Sequence, residues 1–470
     1  MRIYNTLTAK VEDFVPIRPP FVGIYACGPT VYDYPHIGNL RTFCCVDFLR
    51  RTLDYFSYDV KLVINITDVD DKIIKAINQK GVSLKEYTSK YEEYFFNSIS
   101  KLNIKPACFY PRATEHINEM VEIIKLLEQK GVAYRTEDNS IYFSVSRFHD
   151  YGKLSKIDKS NLKKGVRIDV DQYDKEDPVD FALWKSYTQS DGDVFWDVEI
   201  GKGRPGWHIE CSAMNRKYLG QPFDIHAGGI DLIFPHHENE IAQSECAYGE
   251  TLANYWFHVN HLIVEGQKMS KSLNNILTIN DIANPLALRL LYLQTHYRNK
   301  LNFTFDGLKA AENALNSLDA FVKTLFDIKL YYELEDNFDG NINDEVDRMG
   351  KKFIQGFESS LLDDLNTPKA LSYLFDLSRE FFVFMNKNPK AVKFSDVNYL
   401  IGLIEKVDSV LGLNLTVFTH LPSDIQELLK IRNKAKLEKD YTTADNIRRR
   451  IQEMGYVVED TPWGTRCRKK

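Results

Sequence analysis

A chain of 470 residues exceeds what one ordinary hydrophobic core organises and implies two to four domains. Its 44% hydrophobic and 27% charged residues exclude a disordered, collagen-like or disulfide-framework protein. A net charge of −6 excludes a chain-wide basic nucleic-acid binder, and seven cysteines, sparse and odd in number, fit a reducing cytoplasm. No apolar run approaches the roughly 20 residues of a membrane span. The start, Met1-Arg2-Ile3-Tyr4-Asn5-Thr6, lacks a signal-peptide pattern.

Taken in chain order, Phe21 to Ala26 reads as a short apolar strand ending at Cys27-Gly28-Pro29. A helical period from about Leu40 to Tyr55 follows, with Phe43, Val46, Phe48 and Leu49 inward. A second strand, Val60 to Ile66, ends at Thr67-Asp68-Val69-Asp70-Asp71. Strand, helix and parallel strand make the unit of a doubly wound, Rossmann-like sheet, whose ligands sit at the carboxyl ends of strands, where Cys27 and Thr67 fall. We therefore expect an α/β fold: residues 1–114 as the first half of the sheet, 115–204 as an inserted region, and 205–275 as the second half. The insertion begins with a helix, about Glu115 to Lys130, then short strands such as Ser140 to Phe143 and a charged stretch from Lys153 to Asp177. The second half holds a strand at Phe223 to His226, a helix from near His236, and a strand around Trp256 to Val264. From Asp281 the apolar spacing turns helical, giving 276–330 and, past an acidic link, a helical bundle at 331–420. A last mixed α/β unit, 421–470, carries two basic helices and a small hairpin turning at Pro462-Trp463-Gly464. From Ile425 to Lys470 there are 12 Lys and Arg against 7 Asp and Glu, which suits either a polyanion contact or a solvated helical tail.

Four scattered groups carry metal-binding side chains: Cys27, Cys211, His236 and Glu240. His236 and Glu240 are four apart and share one face of a helix. Position 241 is Ile, so the segment is not a zincin motif. A mixed sulfur, nitrogen and oxygen set suits zinc better than magnesium or calcium. The spacing is not that of a zinc finger, so the fold would have to assemble the site from three distant segments; on spacing alone, Cys27 and Cys211 as plain core cysteines remain the alternative. Cys44, Cys45, Cys108 and Cys246 read as ordinary core residues.

Two segments suit a nucleotide. Pro29 to Asn39 joins the first strand to its helix, where free backbone N–H groups attract phosphate and His36 and Asn39 add donors. Lys268-Met269-Ser270-Lys271-Ser272 follows the last strand; its two lysines can clamp a triphosphate during displacement.

In this order the motifs resemble the cysteinyl-tRNA synthetases, a family of class I aminoacyl-tRNA synthetases. The likeness rests on Tyr25 to Asp33, His36-Ile37-Gly38-Asn39, Gly206 to Ser212, His226 to Glu240, Lys268 to Ser272, Asp363 to Pro368 and Asp460 to Gly464, across essentially the whole chain. The resemblance implies ATP-dependent formation of cysteinyl-adenylate, transfer of the cysteinyl group to the terminal adenosine of tRNA(Cys), one zinc ion on Cys27, Cys211, His236 and Glu240, and magnesium with ATP. It implies ATP contacts at His36, Asn39, Gly228, Gly229, Asp231, Lys268 and Lys271, and a substrate pocket with Thr67, Trp207 and His226. Asp33, Asn65 and His208 would support the site, while His237 and Glu238 would face away. Asn39 departs from the family's usual second histidine; an amide donates a hydrogen bond but carries no charge. The resemblance further makes 276–330 a stem-contact region, 331–420 a tRNA-binding bundle and 421–470 an anticodon unit, with Arg448, Arg449, Arg450 and Trp463 on tRNA. A cytoplasmic monomer is expected. Zinc supplies a reason for its presence: oxygen for sulfur is a small change of shape, but a thiolate is a far better zinc ligand than a hydroxyl. Separate editing is then not needed, in keeping with the lack of an obvious hydrolytic constellation in the insertion. Two rival readings are a ligase joining cysteine to a small amine and a non-catalytic RNA-binding relative.

Overall fold

The computed structural model describes residues 1–157, 179–270, 273, 275–335, 337–338, 340–417, 421–461 and 464–469. Lys271, Ser272 and Trp463, and most of the stretch from Lys153 to Asp177, lie outside the described residues. The chain divides into two compact units, Met1–Thr304 and Phe305–Lys470.

The first unit is built on a parallel sheet. Strand β1 (Phe21–Ala26) leads through helix α1 (Ile37–Tyr55) to β2 (Asp59–Ile64), and after the insertion α2 (Trp207–Leu219) leads to β3 (Phe223–Gly229), α3 (Glu238–Tyr248) and β4 (Ala253–Val259). Their spatial order is β4-β3-β1-β2, all parallel. Bridges from Val63 to Phe109 and from Ile66 to Arg112 extend the sheet past β2. The winding direction reverses between β1 and β3, which makes the carboxyl ends of these two strands the crevice where ligands bind in such sheets. Two glycines let segments converge there. A Cβ on Gly28 would stand 1.6 Å from the Asn65 carbonyl oxygen, and one on Gly206 would stand 2.0 Å from that of Ala182.

A buried ionic core fastens α1. Asp47 accepts from Arg51 Nε at 2.8 Å and from Arg289 Nη2 at 2.6 Å, and Arg289, from helix Pro285–Leu293, also donates to the Leu102 and Asn103 carbonyls. Arg41 is fully buried and donates to the carbonyls of Asn260, His261, His296 and Asn299. That anchor explains a departure from expectation. The strand expected from Trp256 to Val264 breaks at Asn260 and His261, whose carbonyls turn to Arg41. The chain resumes as Leu262–Val264 in a second sheet with Gln267–Lys268 and the parallel strand Leu301–Phe303, which lies where continuous helix was expected.

The insertion forms a five-stranded antiparallel sheet from Ala133–Arg135 to Gly201–Pro205. Asp71 pairs with its Lys185 at 2.8 Å and with its Arg204. At the start of the chain, Arg2–Asn5 and Lys10–Asp13 pair as a hairpin that the residue pattern did not disclose.

The second unit carries helices Phe305–Leu334, Asp344–Leu362, Thr367–Lys387 and Phe394–Leu411, then Ser423–Leu437 and Tyr441–Glu453 with the antiparallel pair Tyr456–Thr461 and Gly464–Lys469. Ile425, Leu429, Ile451 and Val458 form the small terminal core. Arg432, 3% exposed, grips Asp460 with two bonds of 3.0 and 2.8 Å, and Lys436 adds a third at 2.8 Å. These bonds, Arg432 first, hold the Asp460 carboxyl down to about 2 against the opposing effect of burial. A carboxylate depressed in the folded state stabilises it above its unfolded value of about 4 and ceases to as pH falls to about 2. Asp460→Asn should therefore lower the unfolding midpoint of the terminal unit at pH 6, with the gap to the parent protein closing between pH 4 and pH 2. A gap independent of pH would refute the ion pair. No described helix is long and apolar enough to cross a membrane.

Candidate active site and metal centre

Cys27 follows directly on β1, its N–H bonded to the Ala227 carbonyl of β3 at 3.1 Å. Cys211 lies in the first turns of α2. His236 sits in a wide turn, Ile233–His237, that leads into α3, and Glu240 lies in the first turn of α3. The expected helix begins two residues after His236, yet its imidazole Nε2 still reaches Glu240 Oε1 at 3.1 Å. All four side chains are buried, and their donor atoms lie within 4.8 Å of one another.

Whether they fit a metal is a question of distances. Tetrahedral zinc, with bonds of about 2.3 Å to sulfur and about 2.0–2.2 Å to nitrogen or oxygen, spaces its donors about 3.8 Å (S–S), about 3.6 Å (S–O) and about 3.3 Å (N–O) apart. Cys27 Sγ and Cys211 Sγ are 3.9 Å apart, Cys27 Sγ and Glu240 Oε1 3.6 Å, and His236 Nε2 and Glu240 Oε1 3.1 Å. The donor set and its spacing fit zinc. A second set, Cys27, His226, His237 and Glu240, is equally compact. It holds one sulfur rather than two, and its histidines meet ligand atoms as outer partners do: His237 Nε2 lies 3.3 Å from Cys27 Sγ and His226 Nε2 lies 2.9 Å from Glu240 Oε2. Tyr25 adds a fully buried hydroxyl within electrostatic reach of Cys211, Cys27 and Glu240.

The electrostatics favour positive charge at the centre. Burial pushes the Cys27 thiol up, whereas Cys211 is drawn down to about 6 against its burial by the Cys27 hydrogen bond and by His236. Burial would raise Glu240, but His226 and His236 hold it at about 2. Burial would lower His236, but Cys211 and Glu240 lift it to about 10. His208 and His258 go the other way, pushed down chiefly by burial, His258 to about 3.

Around this centre the expected support residues are placed as follows. His208 Nδ1 lies 2.9 Å from His236 Nδ1, which leaves Nε2 of His236 for the centre. Asn65 accepts from the Gly28 N–H at 2.8 Å and donates to Thr67 Oγ1 at 3.2 Å. Trp207, 38% exposed, lays its ring 4.2 Å from that of His236. His226, expected at the substrate, is fully enclosed: it holds Glu240 and stacks on Trp256 at 4.6 Å. His237, expected to face away, faces inward and continues through His258 (2.8 Å) to the Thr6 hydroxyl (2.7 Å). Glu238 does point elsewhere, accepting the N–H groups of Gly152, Leu154 and Ser155. Thr6, His258 and Glu210 were missed; the imidazoles at 226, 236, 237 and 258 were the available signal.

Several of the residues expected at the nucleotide are described. His36 caps α1: its Nδ1 accepts the Asn39 N–H at 3.0 Å while Asn39 Oδ1 accepts the His36 N–H at 3.1 Å. Nδ1 is thereby the acceptor and Nε2 keeps the proton. Burial pushes the His36 pKa down, with Asp231 close enough to pull the other way. A Cβ on Gly38 would touch Met269 Cε at 2.9 Å, and the Ile37 N–H reaches the Leu277 carbonyl at 2.9 Å, so the two signature segments meet. Asn275 braces the second, accepting the Ser270 N–H at 2.9 Å and donating to the Lys268 carbonyl at 3.2 Å. A Cβ on Gly228 would strike the His237 ring at 2.8 Å, and one on Gly229 the Asp231 carboxylate at 2.4 Å.

Three family models match: tRNA synthetases class I (C) catalytic domain over residues 13–313, DALR domain over 356–416, and cysteinyl-tRNA ligase anticodon binding domain over 419–468. The cysteine–tRNA ligase of Brachyspira hyodysenteriae is 44% identical, over 99% of both chains. The chain belongs to the cysteinyl-tRNA synthetase family. The cysteine–tRNA ligase of Protochlamydia amoebophila is 42% identical over 100% of this synthetase-family chain and 98% of its own. In fold, the chain matches Mycobacterium tuberculosis methionyl-tRNA synthetase in complex with methionyl-adenylate, with a TM-score of 0.64 over 84% of this chain and 92% of that one at 14% identity.

Proposed function

We propose that the protein activates L-cysteine with ATP and transfers it to tRNA(Cys), with one zinc held by Cys27, Cys211, His236 and Glu240. The observation that carries this reading is the cluster of four buried donors, with three measured separations that match tetrahedral zinc. Zinc, when bound, supplies a soft centre that takes a thiolate and discriminates against a hydroxyl. The chain's own groups do the rest. His226 and His237 hold Glu240 and Cys27 in orientation, and His208 fixes Nδ1 of His236, the ring nitrogen turned away from the centre. Trp207 and Thr67 line the amino-acid side. His36, with its proton fixed on Nε2, donates to a phosphate; Lys268 and Lys271 neutralise charge building on the β- and γ-phosphates as the cysteine carboxylate attacks the α-phosphorus and pyrophosphate leaves. Gly228 and Gly229 admit the adenosine, and Asp231 meets its ribose. In the second step the terminal adenosine hydroxyl of tRNA attacks the carbonyl carbon and AMP leaves.

Asn39, whose side-chain oxygen is spent on the cap, keeps its NH2 for phosphate. Magnesium would come with ATP. Arg448, Arg449 and Arg450, on the solvent-facing helix Tyr441–Glu453, and Trp463 would meet the anticodon arm. The second unit would serve as the tRNA-binding part, which a ligase acting on a small amine would not need.

Metal analysis alongside cysteine-dependent pyrophosphate exchange tests the reading. About one zinc per chain, exchange without tRNA, and charging of tRNA(Cys) are expected. Exchange without charging would point to the small-amine ligase; no exchange at all would leave an RNA-binding relative.

A further inference from the structure

Glu210 is an acidic side chain that the scheme above does not use. It is 1% exposed, and among the described residues its carboxylate accepts one hydrogen bond, from the Thr67 hydroxyl at 3.0 Å. No cationic side chain pairs with it among the described residues. The neighbouring acids differ: Asp68 accepts from the Thr114 N–H and hydroxyl, and Asp70 accepts the Lys72 N–H at the start of the next helix. Both add negative potential at Glu210. A buried carboxylate met by a single hydroxyl is costly unless a cation comes to it.

Its position says which cation. Glu210 directly precedes the metal ligand Cys211 on α2, one turn after Trp207. A hydrogen-bonded run joins the two sites: Asn65 Oδ1 lies 3.7 Å from Cys211 Sγ, Asn65 Nδ2 donates to Thr67, and Thr67 donates to Glu210. In cysteine the sulfur and the amino nitrogen are three bonds apart, so the acceptor for its ammonium must lie within one short side chain of the metal. We propose that Glu210, braced by Thr67, receives the α-ammonium group of the amino acid whose sulfur meets the zinc. Resting on the function proposed above, this assigns a two-point grip: sulfur at the metal, nitrogen at Glu210. A thiol without the ammonium would be held at one point only.

Three thiols separate the contributions: cysteine, cysteamine (ammonium, no carboxylate) and 3-mercaptopropionate (carboxylate, no ammonium), each titrated into the zinc-loaded protein by calorimetry. Glu210→Gln keeps the size and an oxygen for Thr67 but removes the charge. Cysteine and cysteamine should weaken about 30-fold or more, as on losing one partner of a buried charge pair, with 3-mercaptopropionate and zinc content unchanged. Equal weakening of all three, or no weakening of cysteine, would overturn the assignment. If Glu210→Gln folds poorly, Thr67→Val should show the same ammonium-selective loss in smaller measure, and a loss shared by all three thiols there would overturn it too. Failure of the parent protein to bind any of the three would count instead against the proposed function.

Discussion

Cys211→Ser is expected to lose most of the bound zinc and with it most of the preference for cysteine over serine. A hydroxyl in place of the thiolate removes one of two sulfurs that sit 3.9 Å apart, and oxygen is the poorer ligand. What remains is a pocket sorting by shape alone, which reaches only roughly 10 to 200-fold between such close analogues. The Michaelis constant for cysteine should rise far more than that for ATP, because Cys211 is not among the residues proposed to hold the phosphates. Cys44→Ser, another buried cysteine in the same unit, should keep its zinc. A zinc-free Cys211→Ser protein that still prefers cysteine at the parent level would end the account of the metal as a recognition device.

The largest stability loss is expected at Asp47. Its carboxylate is 1% exposed and serves two guanidiniums, Arg51 and Arg289, with Arg289 fully buried. Its other oxygen takes the Lys105 N–H at 3.0 Å. Asp47→Ala leaves two cations enclosed without their acceptor, which costs about 3–5 kcal/mol by analogy with other broken buried pairs. Chemical denaturation followed by tryptophan fluorescence should show the midpoint of the first unit falling, while that of the terminal unit stays put. A loss under about 1 kcal/mol would mean that the guanidiniums find other acceptors or water.

Much of this architecture was legible from residue pattern. The run from Phe21 through Ile66 alternates strand and helix within a few residues of the observed bounds, because apolar periodicity reports burial of whole faces. The four zinc candidates came from side-chain chemistry and position, and the fold brings them together. Features that depend on distant partners were hidden. Leu301–Phe303 is three residues long and is a strand only because Leu262–Val264 lies beside it. The break at Asn260 is set by Arg41, more than two hundred positions earlier. His237 faces inward because Gly228 leaves room for its ring, a constraint that lies in three dimensions and not in the local spacing.

The origin of the four donors has a consequence for biosynthesis. Cys27 is translated early, but its three companions lie beyond the whole inserted sheet, from residue 211 to residue 240. A nascent chain paused within the insertion owns one donor of four, and a lone thiolate has no special hold on the ion. Zinc would therefore be captured late, after the ribosome has passed Glu240, so that cells starved of the metal would accumulate full-length, empty polypeptide rather than stalled fragments.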